Sequence, residues 1–400
     1  MTATTTDDVG QHAASRRVVL TMTFATGAVI ANLYYAQPLE ESLSRALHAS
    51  SGTIGLILTL IQIGYAIGLA TLVPLGDLFE RRRLLIALLG VAVLGLAAMA
   101  LAPSAAAFGS AAVLVGLTSV AAQVIVPFAA HVAGAGRQGR VVGTVMSGLL
   151  IGILLSRTVS GLIASVAGWR AVFGFGAVVT AGMALLLWRE LPTLVPDVRL
   201  RYPALLASVV RIVRDEPLLR WRILYGALTF SSFSAFWASA GFLLARAPYH
   251  WNNAEIGAFA LLGALGAVAA RFAGRLADRG LARLATGGFL LVMSLSYVLI
   301  GIGAHAVVAL GIGVALMDLG CQGTHISNQS LIFPLRPDAR SRLNTAYMTS
   351  YFVAGAVGSG LSTTAYAAFG WTGVTIVGAA FPVAACLVWV VDMTMRRATT

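Results

Sequence analysis

Long apolar runs alternate with short polar stretches along nearly the whole chain. A helix crosses the roughly 30 Å hydrocarbon core of a membrane with about 20 apolar residues. On that rule the pattern predicts twelve spans, at 18–39, 53–76, 84–102, 107–132, 141–167, 170–189, 219–244, 254–277, 283–302, 305–332, 343–367 and 371–393. Residues 1–15 are polar and are expected to form a disordered cytoplasmic N-terminus. The first run is too long, and too polar at its end, for a cleaved leader. The longest connection, 190–218, carries Pro192, Pro196, Pro203, Pro217 and mixed charge. It predicts a linker between an N-terminal six-helix bundle at 16–189 and a C-terminal one at 219–395. Its middle, 202–213, has the pattern of a short amphipathic surface helix.

The two halves repeat. Leu72 to Arg83 (LVPLGDLFERRR) closes one apolar run with an Asp and three arginines, and Ala273 to Arg283 (AGRLADRGLAR) does the same in the second half. Arg140 opens a run ending at Gly168-Trp169, and Arg342 opens one ending at Gly370-Trp371. Met146 and Met348 match in the same register. Parallel repeats of this kind pack about an axis normal to the membrane and place a ligand site between them near the midplane. The fold class is therefore an all-α membrane protein, twelve transmembrane helices in two pseudo-symmetric six-helix bundles.

Composition agrees. Of 400 residues, 58% are hydrophobic and 10% charged, and mean hydropathy is +0.86. Soluble domains carry about a quarter charged residues. All 27 basic residues are arginine. The net charge of +12 does not mark a nucleic-acid surface, because the arginines lie between apolar runs. Twenty-two of them, including Arg220 and Arg222, are assigned to loops on the side of the termini; Arg45, Arg170 and Arg246 lie on the opposite side, and Arg157 and Arg271 inside spans. By the positive-inside rule both termini are cytoplasmic. Cys321 and Cys386 sit within apolar runs and suggest packing, with no disulfide framework.

At 73–82 the chain resembles the cytoplasmic loop motif of the major facilitator superfamily, roughly G-x-L-x-D-R-x-G-R-R. Leu75, Asp77, Arg81 and Arg82 match; Val73, Leu78 and Glu80 replace the first Gly, the first Arg and the second Gly. The second copy, Gly274-Arg275-Leu276-Ala277-Asp278-Arg279, is closer to the pattern. Asn32 to Pro38 and Asn344 to Met348 resemble the family's bacterial drug- or sugar-efflux permeases. Of the antiporter motif of span five, Gly148 and Gly152 are present and Ile153 replaces Pro; Ala112 stands where span four usually has Arg. The resemblance implies a central cavity lined by spans one, four, seven and ten.

Polar residues in those spans are functional candidates, because the bilayer penalises them. In span ten, Asp318, Gln322, His325 and Gln329 share one helical face. They either line a cavity or bond to neighbouring helices. Asp318 reads as the lone acid deep in a span. Buried without a partner it would bind a proton, which makes it the candidate coupling group together with Arg157; the alternatives are a fixed ion pair with Arg157 and a substrate contact. The substrate-cavity candidates are Asn32, Tyr35, Gln37, Gln123, Phe233, Trp237, Gln322, His325 and Gln329. Pro38 predicts a kink or end of span one. The aromatic residues of span seven fit packing or an apolar ligand. Asp77, Arg81, Arg82, Asp278 and Arg279, at cytoplasmic helix ends, are expected to act in conformational switching. Gly148, Gly152, Gly355, Gly358 and Gly360 allow close helix approach.

The sequence carries no phosphate-cradling Gly-Lys loop, metal cluster or nucleophile triad, so no enzyme activity and no cofactor are expected. The reading is a secondary transporter in the inner membrane of a bacterium, a monomer exporting a small organic molecule by proton antiport, with no nucleic-acid partner. Uptake by proton symport and a non-transporting membrane sensor are the alternatives. A reporter fused after Thr400 should be active only if it is a cytoplasmic reporter; periplasmic activity from that fusion contradicts the topology.

Overall fold

The computed structural model describes residues 16–133, 138–193, 202–264, 273, 275–276, 279–336 and 340–397. Arg271, Asp278 and the side chain of Asp77 lie outside that set. The described chain is built of helices and contains no strand. In order these are α1 (Arg16–Ala31), α2 (Glu40–Ala46), α3 (Ser51–Thr71), α4 (Arg81–Leu101), α5 (Ala105–Thr118), α6 (Ala121–Val132), α7 (Gln138–Ala167) and α8 (Trp169–Glu190). Then follow α9 (Tyr202–Asp215), α10 (Pro217–Trp237), α11 (Ala240–Ala245), α12 (Asn253–Phe259), α13 (Ala282–Ile302), α14 (Val307–Ile332) and α15 (Arg340–Arg397). Nine helical segments among the described residues are long and apolar enough to cross a membrane. The last, Arg342–Thr394, has 53 residues, about 80 Å at 1.5 Å per residue, and so exceeds two crossings.

Local chemistry sets many of the boundaries. Ser50 caps α3 by accepting the Thr53 N–H at 3.1 Å, and Ser104 caps α5 from Ala107 at 3.3 Å. Glu80 caps α4, accepting the N–H groups of Arg82 (2.8 Å) and Arg83 (2.9 Å). This explains why a carboxylate can stand where the family loop has glycine. Gly168 (φ 81°) and Gly370 (φ 61°) supply the left-handed turns before Trp169 and Trp371. The same turn therefore recurs at the repeated Gly-Trp pairs, and inside α15 it is the one point with non-helical geometry. The linker helix expected at 202–213 is present as α9, held by the Tyr202 hydroxyl donating to the Thr71 carbonyl at 2.9 Å.

The fourth span, split into α5 and α6, and the eighth, where a 3-10 turn at Ala260–Ala264 follows α12, depart from the prediction of continuous helices, and so do the two spans that bear on the site. The first helix ends at Ala31; a buried irregular turn and a 3-10 turn at Gln37–Leu39 follow before α2. The seventh stops at Trp237 and restarts as α11 after Ser239, whose hydroxyl lies 3.0 Å from that of Ser362. Broken helices at corresponding places in two repeats are the feature that marks a midplane site. Irregular backbone is tolerated at such depth only when buried in protein or lining a cavity. A further correction concerns Arg222. Instead of a loop position it occupies α10 and is fully buried, donating from Nη1 to Thr286 Oγ1 at 3.0 Å.

At the end remote from the termini, called distal below, the two halves are closed on each other. Ser42 Oγ donates to Asn253 Oδ1 (3.0 Å), Arg246 pairs with Glu41 (3.0 Å), and the Phe242 N–H donates to Glu40 (3.3 Å). Deeper, Thr158 donates to the Gly257 carbonyl (2.8 Å), Thr59 to Ser359 (3.0 Å) and Ser234 to Gln62 (3.2 Å). α7 and α12 approach so closely that a Cβ on Gly161 would lie 2.1 Å from the Asn253 carbonyl oxygen. Within the first half the glycines act as expected: a Cβ on Gly152 would fall 2.3 Å from the Gly27 oxygen. Overpacking costs about 1–3 kcal/mol, which shifts a two-state ratio by between about fivefold and a hundredfold. Gly161→Val should therefore favour the distally open state. A membrane-impermeant thiol reagent should label a cysteine introduced at Ser42 faster in that background; unchanged labelling would show that the contact does not hold the halves together.

Candidate functional site

Arg157 lies in α7, about 15 Å of rise from its distal end, and is buried at 4% exposure. Its Nε donates to Gln37 Oε1 at 2.7 Å. The guanidinium carbon stands 4.3 Å from the Trp237 ring centroid, 4.8 Å from Tyr34 and 6.0 Å from Phe233. Such contacts are worth about 0.5–2 kcal/mol each, more when desolvated. Nη2 has no hydrogen-bond partner. The cage forms beside the breaks in the first and seventh spans: the irregular turn presents Tyr34, the 3-10 turn Gln37, and the end of α10 Phe233 and Trp237.

Asp318 lies in α14 at a similar depth, buried at 4% exposure. It forms no ion pair with Arg157, although the two charges interact through space. The expected alternative of a fixed pair is thus not what the fold contains. Oδ1 lacks a partner, and the nearby Trp237 indole N–H makes no well-formed hydrogen bond either. A Cβ on Gly263 would approach Oδ2 to 2.5 Å, so the backbone of the second half closes tightly over the carboxylate. Beside the cage is a cavity of about 10 Å³, room for about one water. Its lining comes from the broken first span (Leu33, Tyr34, Gln37), α3 (Leu58, Gln62, Tyr65), α10 (Phe230, Phe233, Ser234) and α15 (Phe352).

The expected cavity residues divide. Gln37 and Phe233 line the cavity, and Trp237 borders it through Arg157. Gln123 stands one bond away, donating to the Tyr65 hydroxyl at 3.2 Å. Asn32 instead donates to Thr180 at 3.3 Å inside the first half, and Tyr35 packs against Gly176. Both are buried between helices of the first half and do not line this cavity. Gln322, His325 and Gln329 are half-buried on the Asp318 face. His325 Nδ1 lies 3.1 Å from the Tyr347 hydroxyl, which also accepts from Asn328 at 3.3 Å. The enclosed lining uses spans one, two, seven and eleven, where the resemblance implied one, four, seven and ten. Gln62 and Tyr65 were legible as two polar residues one turn apart in an apolar run, but nothing in the pattern aimed them inward. Asp318 is also not the lone buried acid: Glu40 is fully buried, and Asp392, 3% exposed, accepts from the Tyr225 hydroxyl at 3.2 Å. Of the loop residues, Arg81 donates to the Gly76 carbonyl and Arg82 to that of Leu191, both at 3.0 Å, while Arg279 is exposed.

The comparisons with known proteins agree with this architecture. The family model described as the Major Facilitator Superfamily matches residues 19–333. The "Uncharacterized transporter YgaY" of Escherichia coli is 46% identical over 380 residues, 94% of this chain and 96% of its own. The "Probable transporter SCO4007" of Streptomyces coelicolor is 35% identical over 92% of this chain and 86% of its own. A solved bacterial homologue of the human lysosomal transporter Spinster, in an inward-facing and occupied conformation, superposes with a TM-score of 0.75 at 14% identity over 94% of this chain and 96% of its own.

Removing Gln37 would leave a buried charged donor unsatisfied, at a cost of about 1–3 kcal/mol. Gln37→Ala should lower the midpoint of thermal unfolding in detergent, and Gln37→Glu should preserve it. A midpoint unchanged by Gln37→Ala would show that the Arg157 cage does not depend on this bond.

Proposed function

The chain belongs to the Major Facilitator Superfamily of small-molecule membrane transporters, and on that premise we propose that it exports a small organic molecule by proton antiport through alternating access. It is a multi-pass membrane protein of a family of transporters, not of enzymes. The proposed setting is a bacterial inner membrane, with both termini cytoplasmic, the distal end outside and the protein monomeric. Bundles at 16–189 and 219–395 rock about the site, joined by the linker at 190–218. Asp77, Arg81, Arg82, Asp278 and Arg279 bias the rocking from the cytoplasmic helix ends.

One observation carries the antiport reading: Asp318 Oδ1 is buried with no partner. A buried carboxylate left this way is costly unless it gains a proton or a hydrogen-bond donor. A substrate hydroxyl, amide or amine would satisfy the ionised acid. A proton would satisfy it equally and remove the acceptor the substrate uses. The two exclude each other, and mutual exclusion at one group is the condition for exchange. The aromatic lining at Tyr65, Phe230, Phe233 and Phe352 suits a ligand with an apolar body.

A second reading, proton symport of an anion, is favoured by Arg157 Nη2, which lacks an acceptor. An anion bound there would stabilise Asp318 in its protonated form, so ligand and proton would bind together. In lightly buffered detergent solution, antiport requires proton release on substrate binding and symport requires uptake. A membrane sensor would bind ligand and move none in proteoliposomes.

Asp318→Asn mimics the protonated acid. It should abolish accumulation driven by a pH gradient in proteoliposomes while retaining counterflow exchange without a gradient. Full gradient-driven accumulation by the variant removes Asp318 from the coupling role. Loss of folding or of all binding assigns it to structure or to substrate contact instead.

A further inference from the structure

Glu40, the first residue of α2, is fully buried where the two halves meet at the distal end. Its Oε2 accepts the N–H of Phe242, the third residue of α11, at 3.3 Å. Its Oε1 has no partner. The contact is between halves, and it is tight: a Cβ on Gly241 would stand 2.7 Å from Glu40 Oε2 and 2.9 Å from the Gln37 carbonyl oxygen. No side chain larger than hydrogen fits at that point while the halves are closed.

The surroundings offer Glu40 no cation. On its own helix, Glu41 pairs with Arg45 at 3.2 Å and with Arg246 at 3.0 Å. Arg246, which follows α11, is committed to Glu41 and lies over the Phe242 ring at 5.6 Å. From α15 comes Tyr366, stacked on Phe242 at 5.5 Å and near enough to interact electrostatically with Glu40. α11 and the turn at Gln37–Leu39 carry no titratable side chain, and α3 carries only Tyr65, which lines the cavity. Arg157, beyond Gln37, is bonded to that amide. Two adjacent carboxylates at one junction thus have different partners: Glu41 is paired with arginines and partly exposed, while Glu40 is buried, meets backbone N–H and faces no cation.

We propose that Glu40 is a proton-binding site of the distal junction, occupied when the halves close there and vacated when they part. Closing transfers the carboxylate from water into a space with no counter-ion, which favours the form carrying a proton on Oε1. Opening restores water on both oxygens and the proton returns to the distal solution. The sign follows from linkage. The closed state binds one more proton than the open state, so acid favours closure and rising pH favours opening. The effect vanishes once solvated carboxyls are themselves protonated, below about pH 4. Glu40 differs in place from Asp318, whose carboxylate is covered by Gly263 of its own half. On the orientation proposed above, external protons would promote the return of the emptied transporter.

The test measures the junction itself. Spin labels are placed on cysteines introduced at the exposed residues Ala46 and Ala247, in a background with Cys321→Ala and Cys386→Ser, in lipid nanodiscs. Electron–electron distance distributions are recorded from pH 5 to pH 9. The ratio of long to short distances should rise with pH, by up to tenfold per unit across the transition, the limit for one linked proton. Glu40→Gln should hold the short distance throughout. A parent protein without pH response overturns the proposal. So does a parent-like response in Glu40→Gln. If Glu40→Gln does not fold, Glu40→Asp decides: the shortened acid should keep the response with a displaced midpoint, and an undisplaced midpoint overturns the assignment.

Discussion

A guanidinium buried near the middle of an apolar bundle constrains everything around it. Arg157 cannot shed its charge and has no carboxylate in contact. Its surroundings compensate it with an amide oxygen, three aromatic faces and the field of Asp318. None of these neutralises the charge fully, and one nitrogen is left without an acceptor. The site is therefore held short of satisfaction, a condition a structural ion pair would have removed. Strong pairing would rigidify the junction; incomplete pairing leaves room for a ligand or a proton to change which state is preferred.

The cage draws its residues from both halves, beside helix breaks. Tyr34 and Gln37 come from a stretch where the first span ceases to be helical, and Phe233 and Trp237 from the end of α10 just before the break in the seventh span. Each pair keeps the three- or four-residue spacing of one helical face, and irregular backbone lies directly beside it. Its polar groups are then covered by protein: Tyr35 offers its carbonyl to the Ser160 hydroxyl at 2.6 Å, and Ser362 donates to the Ala235 carbonyl at 2.6 Å.

The buried acids form a series along the molecule. Glu40 sits at the distal junction, Asp318 beside the central cage, and Asp392 at the end of the termini, bonded to Tyr225 in the neighbourhood of fully buried Arg222. Each meets a different environment: backbone N–H from the opposite half, an arginine that it does not bond, and a polar cluster within its own half. Carboxyl groups in environments that change differently as the halves move give the fold several points at which protonation can be linked to conformation.

The sequence by itself determined the membrane class, the repeat, the linker helix and the family. Those follow from hydropathy summed over about 20 residues, from charge in loops and from matching motifs, and all of these survive errors of a few residues. It also singled out Asp318, Arg157, Gln37, Phe233 and Trp237, because polar or aromatic groups stand out in apolar runs. What it could not decide was which way each side chain faces. Asn32, Tyr35 and Gln37 belong to one short stretch, yet only Gln37 reaches Arg157. Glu40 lies just past the predicted end of the first span, and Arg222 was assigned to a loop. Tertiary packing buried both, because α11 closes over the first and α13 and α14 over the second. Burial of a single charge depends on what another helix places against it, and that is information a linear pattern does not contain.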